Sequence, residues 1–251
     1  MRSVCLSGFM ATGKSTVGPI AAGRLGIPFV DTDVEIERQT GKPVHALWRE
    51  EGEAAFRERE RALLAALLAE PAPKVIALGG GAVTVEESRR HALDRAIVVT
   101  LTASPETVAA RVGDARTRPN LMASGDPPAR IRELLAQRAE AYAECHLELA
   151  TDAIDPDAAA DAVVALVHRD PLVVPLGRRS YGIDVCADQP TRLTDAVARL
   201  APSSVVLVTD SNVHRARGAA IEAALHPLAA RGTRVTLAPG EAHKTLASVG
   251  T

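Results

Sequence analysis

The chain has few cysteines and no excess of charge of either sign. Its three cysteines, Cys5, Cys145 and Cys186, are far apart, odd in number and without CxxC spacing. Neither a disulfide framework nor a zinc site is therefore indicated, and buried thiols acting as small apolar side chains are expected. The 29 basic and 31 acidic residues nearly cancel, which argues against bulk electrostatic attraction to nucleic acid or to an anionic membrane.

Long apolar runs are also absent from the sequence. No stretch reaches the roughly 18 to 20 uninterrupted apolar residues that cross a bilayer, and no apolar segment precedes a cleavage-like site near the N-terminus. A cytoplasmic protein without a membrane partner is therefore expected. The hydrophobic content of 47% is enough for a packed core, and a compact anionic substrate would have to be held by individually placed Arg and Lys side chains.

Strand-like apolar runs alternate with helical patterns in the first two thirds of the chain. The runs cover residues 3–8, 28–33, 74–81 and 96–103. The helical patterns cover residues 14–25, 33–40, 52–70, 105–111, 129–145 and 157–167. This alternation predicts an α/β domain over residues 1–168 with helices around a parallel sheet. Residues 113–128, rich in Gly, Pro, Asp and Arg, are expected to form a mobile lid.

A second alternation of strands and helices begins near Pro171. Two short strands around a turn are followed by a helix at residues 192–200, a strand, a helix and a further strand. Residues 169–251 are therefore expected to form a separate segment, which at about 80 residues is short for an α/β nucleotide-binding domain. The pattern stops in the middle of a fold at Thr251.

Residues 8–15 read GFMATGKS, which fits GxxxxGK followed by Ser or Thr, between a strand and a helix. In such a phosphate-binding loop, backbone N–H groups bind phosphates, Lys14 reaches the terminal phosphates and the Ser15 hydroxyl ligates magnesium. A chance glycine-rich turn is the alternative. The residues assigned to nucleotide binding here are Ala11, Thr12, Gly13, Lys14, Ser15 and Thr16.

Two carboxylates end the next predicted strand. Asp31 and Asp33 lie at the carboxyl edge of the sheet, where ligands bind in open α/β folds. Their period-two spacing points both side chains the same way. This leaves one carboxylate for a magnesium-bound water and the other for a substrate hydroxyl. Capping of the following helix is the alternative role for either residue.

Arg57 and three consecutive glycines are further candidates for a binding site. Arg57 lies in the helical stretch AFRERE, with Glu60 three residues on, and Gly79, Gly80 and Gly81 end the strand KVIALGGG. Consecutive glycines after a strand permit close approach of the backbone to a ligand. The alternative for Arg57 is a solvated charge on a helix surface.

With GFMATGKST, DTD, FRERE, LGGGAV and the later TRP, residues 1–168 resemble shikimate kinase. The resemblance implies a nucleoside-monophosphate-kinase-like P-loop kinase with a five-stranded parallel sheet and a closing lid. It also implies ATP- and Mg²⁺-dependent phosphorylation of the 3-hydroxyl of shikimate to shikimate 3-phosphate. This reaction belongs to the chorismate pathway of aromatic amino acid biosynthesis.

Carried over residue by residue, the resemblance divides the site into an acceptor half and a donor half. The arginines of the acceptor half bind the shikimate carboxylate, while Asp33 orients the attacking hydroxyl or accepts its proton. The residues assigned to the acceptor are Asp33, Arg57, Gly79, Gly80, Gly81 and Arg138.

In the donor half, the resemblance assigns the adenine to Arg111 and Pro156 and the magnesium to Ser15 and Asp31. Arg118 of the lid neutralises charge on the phosphates during transfer. The catalytic set is Lys14, Asp33 and Arg118, and charge neutralisation is expected to matter more than proton abstraction.

Three positions depart from the family pattern. Ala11 stands where many members have glycine, Asn120 interrupts a lid that often reads Arg-Pro-Leu, and Ile154 occupies the place of a basic adenine-loop residue of some members. None of them removes a group that contacts phosphate, so they bear on affinity and on lid movement.

Within residues 171–251, LGRRSYGIDVC, VVLVTDSNVH and PGEAHKT resemble the amino-terminal part of 3-dehydroquinate synthase. That resemblance implies a partial α/β NAD-binding-type segment, in which Asp210, Asn212, Glu241 and Lys244 match NAD contacts. Asp210 is otherwise a strand-end turn residue. The synthase reaction, which uses NAD and a divalent metal, is not expected, because the chain ends before the glycine-rich and metal-binding segments of that family.

The leading hypothesis is a monomeric shikimate kinase acting on a small molecule, alone or as part of a bifunctional kinase and synthase. One alternative is a nucleotide-binding regulatory module without catalysis. Another is a P-loop kinase for a different acceptor, such as gluconate or a nucleoside monophosphate.

Overall fold

The computed structural model describes residues 1–112, 127–183, 193–195, 197–198, 202–228, 232–243 and 245. The chain divides into two compact units, Met1–Asp184 and Val185–Thr251. All the residues assigned above to the kinase reaction belong to the first unit. No helix within the described ranges is long and apolar enough to cross a membrane.

Five parallel strands form the sheet of the first unit, in the spatial order β2-β3-β1-β4-β5. They are β1 Ser3–Ser7, β2 Phe29–Asp31, β3 Val75–Ala77, β4 Ala96–Thr102 and β5 Leu147–Ala150. The central strand is β1, whose Val4 lies opposite Val75 on one side and Ile97 on the other. The five-stranded parallel sheet is thereby confirmed. Apolar runs had indicated four of the strands, and β5 lacks such a run because its side chains are alternately half-buried and exposed.

Seven α-helices accompany this sheet among the described residues. They are α1 Lys14–Leu25, α2 Thr32–Thr40, α3 Val44–Ala69, α4 Glu86–Arg95, α5 Pro105–Val112, α6 Pro127–Ala143 and α7 Pro156–Arg169. Six of them follow predicted patterns. Helix α3 begins at Val44 and not at Gly52, where the pattern predicted its start. Gly52 is a break inside the helix, with φ 85° and ψ 168°. The pattern had thus marked only the second of two helical segments.

Helix α4 was not predicted from the sequence. Its stretch EESRRHALDR buries only Ser88, Ala92 and Leu93. Three buried positions, one of them polar, are too few to produce the apolar stripe by which an amphipathic helix is recognised. The helix instead packs on α3 and β4 as a mostly charged surface element.

Alternate residues of β1 supply the two halves of the core. Val4 and Leu6 share a cluster with α1 and α7, whereas Cys5 belongs to the cluster on the other face, which includes much of α3. Burial raises the pKa of the Cys5 thiol to about 12. Cys5 and Cys145 are both free and buried, as expected for apolar thiols, and Cys186 lies outside the described residues.

The first unit continues past His168, where the sequence pattern placed the domain boundary. The antiparallel strands β6 Leu172–Val174 and β7 Tyr181–Ile183 belong to this unit. Near the junction, Arg2 Nε donates to Asp170 Oδ1 over 2.7 Å. The hairpin itself is a local pattern in the sequence. The residues of the first unit that it contacts are distant in the chain, so no local signal reveals these contacts.

In the second unit, two parallel strands are joined by one helix. Strands β8 Val205–Asp210 and β9 Gly232–Leu237 flank helix α8 Ser211–Leu225. The order strand, helix, strand agrees with the predicted alternation, and the described residues of the helix predicted at 192–200, which are 193–195 and 197–198, are helical. Helix α8 begins at Ser211 because the Asp210 carboxylate accepts from the N–H groups of Asn212 and Val213 over 2.8 and 3.0 Å.

Two glycines of α1 give a test of how tightly this helix packs. A Cβ at Gly18 would collide with the ring of Phe29 in β2, while a Cβ at Gly23 has nothing within 4 Å. Alanine stabilises a helix interior by about 1 kcal/mol relative to glycine, but overpacking a core costs roughly 1–3 kcal/mol. Gly18→Ala is therefore expected to lower the free energy of unfolding in urea, and Gly23→Ala to raise it slightly. Equal effects of the two variants would contradict the packing of α1 on β2.

Candidate active site

The loop between β1 and α1 is closed by hydrogen bonds between its own residues. Lys14 Nζ donates to the carbonyl oxygens of Gly8 and Phe9, each over 2.8 Å, and Thr12 Oγ1 donates to the same Phe9 oxygen over 2.8 Å. The N-cap of α1 is Gly13, and no side chain caps the helix. The positive end of the α1 dipole therefore faces the loop uncapped, an arrangement that binds anions such as phosphates.

Ala11 adopts a left-handed backbone in this loop, with φ 61°. For a residue with a Cβ this conformation costs roughly 1–2 kcal/mol. Glycine avoids this cost, and by the family resemblance many members have glycine at this position. The left-handed backbone thus explains why glycine suits this position. Ala11 adopts the same conformation at the cost of local strain.

A cavity of about 500 Å³ opens beside the loop. Its far wall includes Arg111, Ile154 and Pro156. Arg111 Nη2 donates to the carbonyl oxygen of Thr151 over 2.7 Å, and Thr151 Oγ1 donates to the carbonyl oxygen of Thr12 over 3.0 Å. The predicted adenine residues therefore lie together with the phosphate loop, and Thr151, which the sequence reasoning missed, joins them.

Ser15 and Asp31 meet at the other side of the loop. Ser15 Oγ donates to Asp31 Oδ2 over 2.8 Å, while Asp31 Oδ1 accepts from the N–H groups of Asp33 and Val34 over 3.1 and 3.5 Å. Asp31 is thus the N-cap of α2 and at the same time the partner of Ser15. Capping, the alternative role that the sequence left open for this carboxylate, uses Oδ1, while Oδ2 accepts from Ser15.

A hydroxyl and a carboxylate oxygen at this distance fit a magnesium ion. Mg²⁺ prefers oxygen ligands and usually takes only one or two from the protein, keeping waters and phosphate oxygens for the rest. Within the described ranges, no group of three or more His, Cys, Asp or Glu side chains could hold a metal. The donor set at Ser15 and Asp31 therefore suits an ion bound together with a nucleotide.

A second cavity, of about 390 Å³, lies on the opposite side of Lys14. It brings together all the residues that the resemblance assigned to the acceptor, which are Asp33, Arg57, Gly79, Gly80, Gly81 and Arg138. Glycine is needed at two of these positions, because a Cβ on Gly79 would collide with Glu60 and one on Gly81 would collide with Arg57. The glycines thereby leave room for two charged side chains beside the backbone.

Arg57 is held from several sides. Its Nη1 donates to Glu60 Oε2 over 2.6 Å, and its guanidinium lies 5.2 Å from the ring centre of Trp48 and 5.7 Å from that of Phe56. The side chain is only 14% exposed. Such a guanidinium is preorganised to bind an anion, since little side-chain entropy remains to be lost.

Arg138 reaches the same cavity from helix α6. Its guanidinium lies 5.4 Å from the ring centre of Phe9, and Nη1 donates to the carbonyl oxygen of Gly80 over 3.0 Å. Tyr142 Oη donates to the same oxygen over 2.5 Å. The sequence reasoning missed Tyr142, although its position four residues after Arg138 places both on one helix face.

Glu60 is the most buried charged group at this site. Its side chain is 3% exposed, and its Oε1 accepts no hydrogen bond from the part of the chain that the structure describes. Burial raises the pKa of this carboxyl group, and the Arg57 guanidinium opposes the shift only in part. The sequence had marked Glu60 by its spacing from Arg57 but had given it no role.

Some assigned residues cannot be placed. Arg118 and the rest of the expected lid, and likewise Lys244 and the side chain of Glu241, lie outside the described residues. In the second unit, the Asp210 carboxylate is engaged as the N-cap of α8. The sequence had offered only a turn residue at a strand end as the alternative to an NAD contact, so the capping role was not foreseen.

The loop, the uncapped helix and the sheet order define a P-loop phosphotransferase fold. Residues 10–168 match the family model described as shikimate kinase. A shikimate kinase of Desulforudis audaxviator is 48% identical over 142 residues, which are 57% of this chain and 74% of that protein. One of Nitrobacter winogradskyi is 38% identical over 168 residues, 67% of this chain and 78% of that protein.

Solved structures agree with this assignment. The shikimate kinase from Acinetobacter baumannii in complex with shikimate matches with a TM-score of 0.64 and 34% identity, over 68% of this chain and 94% of that one. The shikimate kinase from Aquifex aeolicus matches with a TM-score of 0.59 and 28% identity, over 67% and 97%. The chain belongs to the shikimate kinase family.

The raised pKa of Glu60 predicts how stability depends on pH. Since the folded-state pKa lies above the unfolded value, the contribution of Glu60 to the free energy of unfolding is full below the usual glutamate pKa. It is lost as the pH rises through the raised pKa. Urea titrations over this pH range are expected to show a decline for the wild type that Glu60→Gln lacks.

The exposed Glu58 is the control for this measurement. A hydrogen bond from Arg61 lowers its pKa, so any contribution from Glu58 is present above the usual glutamate pKa and is lost as the pH falls. Glu58→Gln should therefore leave the decline at rising pH in place. Parallel profiles of the wild type and Glu60→Gln would contradict the assignment of a raised pKa to Glu60.

Proposed function

We propose that this chain is a kinase that transfers the terminal phosphoryl group of ATP to the 3-hydroxyl of shikimate, forming shikimate 3-phosphate for chorismate and aromatic amino acid biosynthesis. The observation that carries the proposal is the cavity beside Lys14, in which Asp33 and the two fixed guanidinium groups of Arg57 and Arg138 are brought together. Shikimate has one carboxylate and several hydroxyls, which are the groups that this set of side chains can bind.

Two arginines fix the orientation of the acceptor. Arg57 and Arg138 bind the carboxylate, while Asp33 accepts a hydrogen bond from the hydroxyl that attacks. Charge-assisted hydrogen bonds are roughly twice as strong as neutral ones, and holding a reactant in place removes much of the entropic part of a barrier. Asp33 orients the nucleophile or accepts its proton as the phosphoryl group is transferred.

The phosphate loop binds the donor. Backbone N–H groups of the loop and Lys14 bind the phosphates, while Arg111 and Pro156 contact the adenine. Lys14, whose amine is held by the Gly8 and Phe9 carbonyl oxygens, then donates to phosphate oxygens. Arg118, by the family resemblance, adds positive charge as the lid closes. Phosphoryl transfer depends mainly on such positioning and charge neutralisation.

Magnesium is the cofactor that we propose alongside ATP. When bound, it neutralises charge on the phosphates. Ser15 and Asp31 are the residues of this chain that would hold it, Ser15 through its hydroxyl and Asp31 through a water molecule. Since Asp31 Oδ1 already caps α2, Oδ2 is the oxygen that remains for this role.

The choice of acceptor is tested by a coupled assay of ADP release with shikimate, gluconate and AMP in parallel. Turnover with shikimate and with neither of the other two acceptors is expected. AMP has no carboxylate for the two arginines, and the family match over residues 10–168 favours shikimate over gluconate. Turnover with gluconate or AMP in place of shikimate would support a different acceptor. ATP binding by a folded protein without any turnover would support a regulatory module.

Asp33→Ala tests the role of the acceptor carboxylate. We expect a loss of turnover of at least about a hundredfold, the size typical of a general acid or base, with ATP affinity unchanged in calorimetry. Glu35→Ala is the matched control on the same helix, because Glu35 pairs with Arg38 and does not line the cavity. A parallel loss of ATP binding in Asp33→Ala would instead give this residue a structural role or a role toward the nucleotide.

For residues 169–251 we propose a partial segment of the 3-dehydroquinate synthase type, so that the chain carries the kinase of a bifunctional protein. The parallel β8-α8-β9 unit with Asp210 at a strand end supports this proposal. Titration of the full chain with NAD tests it, with Asp210→Ala compared with the wild type. NAD binding that the variant loses is the expected result, and no binding would leave Asp210 as a helix cap only.

The kinase unit is proposed to be monomeric and cytoplasmic. Sedimentation equilibrium of the full chain measures the first of these properties, and a mass above that of one chain would contradict it.

A further inference from the structure

A turn that follows the family-matched segment binds to helix α6. Residues 176–180 connect β6 to β7 and lie beyond the match, which ends at 168. The N–H group of Gly177 donates to Glu144 Oε1 over 3.0 Å, and that of Arg178 donates to Glu140 Oε2 over 2.9 Å. The turn is closed internally, since Ser180 Oγ accepts from the N–H group of Leu176 over 2.9 Å.

Helix α6 is therefore contacted from two opposite directions. Arg138 and Tyr142 face the glycine loop and share the Gly80 carbonyl oxygen. Glu140 lies two residues from each of them, which on a helix is a rotation of about 200°. The turn thus holds the side of α6 that faces away from the acceptor cavity.

Glu144 connects the turn to the glycine loop through a second residue. Its Oε2 accepts from Arg89 Nε over 2.6 Å, and Arg89 Nη1 donates to the Val83 carbonyl oxygen over 2.8 Å. Val83 lies two residues after Gly81, in the short 3-10 helix Ala82–Thr84. The side chains of Arg89 and Glu144 are 15% and 18% exposed, so both are held firmly.

The charge state of Glu144 agrees with this role. Burial alone raises its pKa, but the hydrogen bonds from Arg89 and from the Gly177 N–H group outweigh burial and hold the pKa below its usual range. The carboxylate therefore stays ionised at neutral pH and keeps both partners.

We propose that residues 176–180 are a positioning element of the acceptor site, acting through Glu140 and Glu144 on α6 and on the loop at Gly79–Gly81. This inference rests on the proposed function, since the acceptor is shikimate. The N–H group of Arg178 binds Glu140 of α6, and that of Gly177 binds Glu144 directly after the end of α6. Arg89 carries the restraint from Glu144 to the 3-10 helix that follows the glycines. A segment outside the family match thereby helps to hold Arg138 and the Gly80 carbonyl in place.

Gly177→Ala in the full chain tests the proposal without touching the cavity. Gly177 has φ 58°, and a Cβ there would collide with the Glu140 carboxylate, so this carboxylate is displaced and its hydrogen bond from the N–H group of Arg178 is lost or weakened. Gly26→Ala is the matched control, because Gly26 has φ 67° and a Cβ there has nothing within 4 Å. Both variants bear the same kind of backbone strain, and only one disturbs the contact with α6.

The Michaelis constants for shikimate and for ATP are expected to respond differently. KM for shikimate should rise about three- to tenfold in Gly177→Ala, the factor that corresponds to one lost hydrogen bond, while KM for ATP and kcat stay within about twofold of wild type. Gly26→Ala should leave all three unchanged. Hydrogen exchange of the N–H groups of residues 79–85 should become faster in Gly177→Ala only, a readout that does not need turnover.

Glu140→Ala is the second variant, in case Gly177→Ala does not fold. Glu140 is 69% exposed in its side chain, so its removal should leave the fold intact and shift KM for shikimate in the same direction. Unchanged KM for shikimate and unchanged exchange at residues 79–85 in both variants would overturn the inference. A wild-type protein that does not turn over shikimate would overturn the proposed function instead, and the exchange data would still decide whether the turn restrains the glycine loop.

Discussion

The position of β3 between β1 and β2 is the constraint on which the site depends. Because the three strands are parallel, their carboxyl ends meet at one edge of the sheet. The phosphate loop follows β1, Asp31 ends β2 with Asp33 shortly after it, and the glycine loop follows β3. Donor and acceptor groups from three distant parts of the chain therefore become neighbours without any long or irregular connection.

Charge burial is the second organising feature. A guanidinium removed from water needs partners, since an unpaired buried charge costs several kcal/mol. Arg57 finds them in Glu60 and in the rings of Trp48 and Phe56. Arg138 finds them in the Gly80 carbonyl and the ring of Phe9. These contacts keep both guanidinium groups at the cavity wall, available to an anionic ligand. They also explain the glycines at 79 and 81, where a Cβ would meet Glu60 and Arg57 respectively.

The sequence was most informative where the chemistry depends on a local backbone conformation or on residues a few positions apart. The phosphate loop, the two aspartates and strands β1 to β4 were readable, because each is a local pattern with a physical reason. Helix α4 was not, since it buries too few apolar residues. The compact unit extends to Asp184, and the contacts that join the hairpin at 172–183 to it involve residues distant in the chain, which no local pattern reveals. Glu60 was marked by spacing alone. Thr151 carried no local signal of a role, and the signal for Tyr142 was its spacing of four residues from Arg138.

By itself, the sequence determined the class of fold and the residues able to handle phosphate, because periodicity and loop chemistry are properties of neighbouring residues. Only the tertiary structure decided which oxygen of Asp31 caps α2 and which meets Ser15, and that Arg57 and Arg138 share one cavity. It also decided that Gly80 accepts from two side chains of α6, and that a turn beyond residue 168 binds the other side of that helix. The physical reason is that these contacts join residues remote in the chain, and their geometry exists only once the sheet and its helices have packed.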